Sequence, residues 1–228
     1  MCHGQRSFYP IQCGMADYWL PGEQHTAAIQ RNIYVYTDEI PDEIWQSEYN
    51  RDVLGIGVVF LPAIWYAEQG KQVNEKTTDA MIAMLQLNDI DATDLWAKAA
   101  SFRKLWDILE KYDVQKPETK CHLYFDDNRI KSSRSTVRVT WYECPGNRTL
   151  IFLSNRTAND EDCELEISAI APGSFTACEE YEGKALDVVS GKVRVKVPAR
   201  SYRIIAFPPR PFYPQEFDFS RLWSFWKD

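Results

Sequence analysis

Over the first 113 residues, short apolar runs alternate with stretches of helical period. The segments "NIYVYT" (32–37) and "LGIGVVFLPAIW" (54–65) are rich in β-branched and aromatic residues and bounded by Gly and Pro, which predicts buried strands. Between and after them the period changes. "TTDAMIAMLQL" predicts a helix whose first-turn N–H groups are accepted by Thr78 or Asp79. From 94 to 112, Leu95, Ala99, Phe102, Leu105, Trp106 and Leu109 recur at steps of three and four, giving one apolar stripe. Strands alternating with helices at this spacing predict βα units on a mostly parallel sheet.

Beyond residue 120 the helical period gives way to short alternating runs. "CHLYF" (121–125), "TVRVTWYE" (136–143), "TLIFLSN" (149–155), "CELEISAI" (163–170), "SFTACEEY" (174–181), "KVRVKVP" (192–198) and "SYRIIAF" (201–207) predict about seven strands. Turns fall at Pro145-Gly146-Asn147, Pro172-Gly173 and Ser190-Gly191. Short strands at this spacing predict an antiparallel β-sandwich. The expected organisation is α/β plus all-β: an α/β unit over 1–113, a linker over 114–119, a sandwich over 120–209 and an aromatic tail over 210–228. The stretch from 208, "PPRPFYP", carries four prolines and cannot continue a central strand.

Composition narrows the chemistry. The 26 basic and 33 acidic residues give a net charge of −7, with no basic run long enough to follow a phosphate backbone, so nucleic acid is not an expected partner. No stretch reaches the roughly 18 apolar residues of a membrane span, and the first residues lack the charged-then-apolar order of a secretory signal; the compartment is left open. Cys2, Cys13, Cys121, Cys144, Cys163 and Cys178 show no metal-ligand spacing and are expected mostly as buried thiols. No metal site and no cofactor are expected. Asn147 and Asn155 each begin an Asn-Arg-Thr sequon. A content of 14% aromatic residues, including eight Trp and twelve Tyr, serves core packing first and suits sugar-stacking surfaces second.

Several pieces taken in order carry a resemblance. "DYWLPGEQ", then "IPDEIWQSEYNRDVLGIGVVFLP", then "MIAMLQLNDIDATDLWAKAASFRKLWDILEKY", then "GKVRVKVPARSYRIIAF" resemble the C-terminal part of family-123-like glycoside hydrolases and their relatives. The resemblance implies the last βα units of a (β/α)8 barrel followed by a β-sandwich, and a carbohydrate as partner. It also marks a departure: Asn88 stands where the relatives carry His. A complete barrel takes roughly 250 residues, so the resemblance further implies a chain truncated at its N-terminus. Its partner would then be the missing barrel half or a self-associated oligomer, because an unclosed parallel sheet has unpaired edges and a bare inner face.

Glycoside hydrolysis needs carboxylates at the C-terminal ends of barrel strands. If "FYPIQCGMADYW" contains a strand, Asp17 and Glu23 follow it, the Pro21-Gly22 turn folds Glu23 back toward the mouth, Trp19 stacks on a sugar ring and Gln24 bonds its hydroxyls. Asp38 and Glu39, after "IYVYT", suit substrate-assisted cleavage, in which one acid orients an acetamido group and the other protonates the leaving oxygen. Asp89, ending "LQLND", lines the same mouth or caps the following helix with Asp91 and Thr93. The catalytic candidates are thus Glu23, Asp38 and Glu39, and the substrate-binding set is Asp17, Trp19, Glu23, Gln24 and Asp89. On this reading the principal acids lie outside the chain, which is not competent alone. The alternative is a non-catalytic carbohydrate- or protein-binding β-sandwich module.

Overall fold

A computed structural model describes residues 2–3, 17–50 and 54–208. Four short strands, β1 (Cys2–His3), β2 (Tyr18–Leu20), β3 (Gly57–Phe60) and β4 (Asp91–Ala92), form a sheet in chain order, each parallel to the next. Parallel neighbours require a crossover. Between β2 and β3 the crossover contains helices α1 (Thr26–Arg31), α2 (Val35–Asp38) and α3 (Asp42–Ser47). Between β3 and β4 it contains a 3-10 segment (Ile64–Gly70) and α4 (Glu75–Leu85). Helix α5 (Ala99–Lys111) follows β4.

The strand expected over 32–37 is instead helical. Asn32 Oδ1 accepts the Tyr34 N–H at 2.9 Å, the Thr37 hydroxyl donates to Tyr34 O, and Glu39 N donates to Val35 O. These local bonds close helical turns, and burial of Val35 and Tyr36 against Trp45 and Phe60 satisfies the apolar run without a ladder. The start of α4 is also shifted. Asn74, not Thr78 or Asp79, caps it, accepting from Thr77 N while the Thr77 hydroxyl accepts from Asn74 N. Thr77 through Leu85 are all buried, as befits a helix covered on every side. On α5, Phe102, Leu105 and Leu109 face the core with Ile108, while Leu95 and Trp106 from the expected stripe stay 52% and 38% exposed.

The remaining nine strands hydrogen-bond as one antiparallel sheet. They are β5 (Lys120–His122), β6 (Lys131–Ser132), β7 (Val137–Cys144), β8 (Arg148–Asn155), β9 (Glu161–Glu166), β10 (Phe175–Glu179), β11 (Lys184–Val189), β12 (Lys192–Val197) and β13 (Ser201–Phe207). Their spatial order is β5-β7-β8-β13-β10-β11-β12-β9-β6, and the sheet curls into a half-barrel around a core of its own. All seven expected strands are present; β6 and β11 add to them.

Strand alternation explains how the two regions join. Val139, Trp141, Ile151, Leu153, Ile205 and Phe207 fill the curled sheet. Their neighbours Tyr142, Leu150, Phe152, Tyr202, Ile204 and Ala206 point the other way, into the core that also holds Trp19, Phe60 and the apolar face of α4. Strands buried on both faces read as continuous apolar runs, which is why "LIFL" and "RIIAF" lack a polar face. Asn155 is wholly buried and its amide donates to three carbonyls, Asn159 O, Val197 O and Pro198 O, so its sequon is closed to modification in the fold. Cys144, Cys163 and Cys178 are free thiols. No helix among the described residues is long and apolar enough to cross a membrane.

Candidate functional site

In a parallel sheet every strand presents its C-terminal end to the same rim. Here that rim carries the loops after β2, β3 and β4. The first two are locked together. Leu61 N donates to Pro21 O at 2.7 Å, and Gly22 lies so close that a Cβ there would sit 1.9 Å from Leu61 O. Its φ of 130° is a second reason only glycine fits. The third loop is tied by Thr93 N donating to Phe60 O at 3.0 Å.

The Pro-Gly turn leads into a 3-10 turn, Glu23–His25, held from below by Tyr49. Gln24 Oε1 accepts from Gly22 N, its Nε2 donates to the Tyr49 phenol oxygen at 2.9 Å, and His25 Nε2 lies 2.7 Å from the same oxygen. Burial lowers the His25 pKa to about 4, so its imidazole is neutral and Nε2 can accept the phenol hydrogen. Burial likewise raises the Tyr49 phenol well above its ordinary value. Glu23, Gln24 and His25 border a cleft of about 770 Å³ that Glu39, Glu48 and the apolar side chains of Val35, Ile40 and Ile44 complete.

The sequence candidates therefore separate. Glu23, Gln24 and Glu39 meet at this cleft. Trp19 does not face it: the ring is completely buried and stacks on Tyr49 at 5.7 Å, so it supports the turn from within. Asp17 precedes β2 rather than following it, because the strand begins one residue later, at Tyr18. That places Asp17 at the N-terminal edge of the sheet. Asp89 is at the same edge, since "LQLN" is helical and the strand begins at Asp91. With φ of 53°, Asp89 ends a 3-10 turn and accepts the Tyr142 hydroxyl at 3.0 Å; it does not cap the following helix, because α5 starts after Lys98. Asn88 is buried and donates to Met84 O.

Asp38 belongs to the joint between the two regions. Arg200 grips it through Nε and Nη2, both at 3.0 Å. Burial pushes its carboxyl up, but Arg200, the Thr37 hydroxyl and the Asn32 amide prevail and hold it below the ordinary value. Nearby, Asp42 receives both Arg138 and Arg156, and Arg156 also donates to Thr37 O and Ile40 O. Residues 210–228, the expected aromatic tail, lie outside the described residues. No group of three metal-ligating side chains is found among the described residues.

Sequence reasoning passed over the aromatic residues of the rim. Trp65 and Tyr66 follow β3, Trp96 follows β4, and the Tyr66 and Trp96 rings meet edge to face at 5.1 Å. The available signal was positional: a Trp stands five residues past Phe60 and another four past Ala92.

No protein-family model matches the sequence, and no curated protein matches it. Solved structures match in fold. The chain is similar to a noncanonic maltogenic alpha-amylase from Thermotoga neapolitana, at 13% identity and a TM-score of 0.52, over 87% of this chain and 52% of that one. An alpha-amylase from Geobacillus thermoleovorans, complexed with acarbose, gives 8% identity and 0.48 over 84% and 48%. Alpha-galactosidase I from Mortierella vinacea gives 11% and 0.44 over 68% and 40%. The chain thus spans about half the length of the first of these, or less of the others, and its structural neighbours are glycoside hydrolases.

Proposed function

We propose that this chain is the C-terminal portion of a family-123-like glycoside hydrolase relative, supplying the last βα units of a barrel and an accessory β-sandwich, and that it binds carbohydrate at the strand ends without being catalytically competent alone. The observation that carries the reading is the rim itself: loops after consecutive parallel strands, bonded to one another, that hold Glu23 beside an open cleft. The rest of the barrel would complete the sheet, since β4 has no second partner among the described residues.

Within this site Glu23 is the carboxylate we assign to substrate. Gln24 and Trp19 position its turn, and Glu39 closes the opposite wall of the cleft. Asp17 and Asp89, at the far edge, and Asp38, held by Arg200, stand outside it. The test is enzymatic. Aryl N-acetylhexosaminides are incubated with this chain and with the chain joined to a complementary barrel half; hydrolysis only by the joined form is expected. Absence of turnover by both, together with oligosaccharide binding by residues 117–228 alone, would replace this reading with that of a binding module.

A further inference from the structure

We propose that Trp65 and Trp96 form a sugar-stacking platform on the C-terminal rim, a subsite for a hexopyranose unit of an oligosaccharide. The proposal rests on the carbohydrate reading above and names the part of the rim that would hold the ligand. Trp65 is 47% exposed although it directly follows the buried Ile64. Its placement is built: Gly70, with φ of 81°, lies against one side of the indole, and a Cβ there would stand 2.9 Å from Nε1. One side of the ring is therefore packed and fixed while the ring as a whole remains half open to solvent.

Trp96 shows a second sign of placement. Its φ of 65° is in the left-handed region, where a bulky side chain is disfavoured, and such strain persists only when the surroundings enforce it. The Trp96 ring meets Tyr66 at 5.1 Å, and Tyr66 in turn meets Trp65 at 6.1 Å. The three rings thus run across two neighbouring loops at the end of the sheet where barrels bind their ligands. The C–H face of a pyranose is apolar and flat enough to cover an indole, and its hydroxyl edge stays available to polar partners. Exposed Trp106, by contrast, belongs to the middle of α5 and packs on Phe102 at 5.4 Å rather than on Tyr66.

The test uses the full chain with maltotriose and triacetylchitotriose as probes, followed by calorimetry and Trp fluorescence. Wild type is expected to bind at least one. Trp65→Ala and Trp96→Ala should each weaken that binding about tenfold or more, Trp65→Phe should retain part of it, and Trp106→Ala should leave it unchanged. Trp65 is half exposed, so W65A decides the matter even if W96A unfolds. Binding by wild type with no loss in W65A overturns the platform and leaves the carbohydrate reading standing. Binding of neither sugar by wild type overturns that reading and the platform with it.

Discussion

The two sheets of this molecule solve the same burial problem to different extents. In the antiparallel sheet, the central strands β7, β8 and β13 are covered on both faces by side chains of this chain, and their ladders run seven or eight residues. In the parallel sheet the strands span two to four residues. One face, with Trp19, Val58 and Phe60, is buried; on the other, Tyr18 is half exposed and Leu20 and Val59 are partly so. The candidate site rides on this second, less covered sheet. Its geometry therefore depends on bonds between loops and on docking against the first sheet more than on ladders of its own.

The shared core is where that dependence is strongest. Phe152 is 1% exposed, stacks on Tyr202 at 5.0 Å, and faces the core that holds α4 and Trp19. Phe152→Ala should lower stability by about 3–5 kcal/mol in urea unfolding. Because both regions bury side chains there, amides of β8 and of α4 should lose hydrogen-exchange protection together. Acceleration confined to β8 would show that the regions fold independently.

Gly22→Ala attacks only the rim. The new Cβ meets Leu61 O and the backbone cannot keep a φ of 130° without strain. A loss of about 3 kcal/mol is expected, with exchange quickening over 20–25 and 61–66 and unchanged in β13. Equal quickening in β13 would mean that the rim and the antiparallel sheet are one cooperative unit.

His25 gives the rim a pH dependence of its own. Its folded pKa of about 4 is below the roughly 6.5 of an unfolded histidine, so the fold binds the proton less well than the unfolded chain does. The stabilisation is complete above about pH 6.5 and is lost as pH falls toward 4, at most about 3 kcal/mol over the window. The stability difference between wild type and His25→Asn should shrink across that range. A difference constant from pH 7 to 4 would show that His25 is not buried neutral.

How much of this was legible in the sequence follows the same division. The antiparallel strands announce themselves because alternation and turn residues are local signals, and only Lys184–Val189 and the two-residue β6 escaped them. In the parallel region the short strands carry too few residues to set a period. "NIYVYT" has strand composition, yet Asn32 and Thr37 supply side-chain bonds that turn it into helix. A one-residue error there matters greatly. Starting β2 at Tyr18 sends Asp17 to the opposite edge of the sheet from Glu23. The Pro-Gly turn and the position of Glu23 after it were readable; the burial of Trp19 under that turn was not, because it depends on Tyr49 thirty residues later.

The joint between the regions separates two further carboxylates. Asp42 serves Arg138 and Arg156 at once, with side chains a fifth to a third exposed, so Asp42→Ala removes a carboxylate that two guanidinium groups share and should lose about 1–2 kcal/mol after allowance for solvent screening.

Asp38 has one guanidinium partner among the described residues, Arg200, and both side chains are about a quarter exposed, so Asp38→Asn should lose less than about 1 kcal/mol. The sign is fixed by the lowered carboxyl: its contribution is present above the ordinary carboxylate value and disappears as pH falls through the folded one. The same variant also tests the assignment of roles. Asp38 is engaged by Arg200 of β13's leading turn rather than directed at the cleft that Glu39 borders, so Asp38→Asn should leave oligosaccharide affinity unchanged while Glu23→Gln lowers it. If Asp38→Asn lowers sugar affinity as much as Glu23→Gln does, with stability nearly intact, then Asp38 is part of the site and the joint reaches into the cleft.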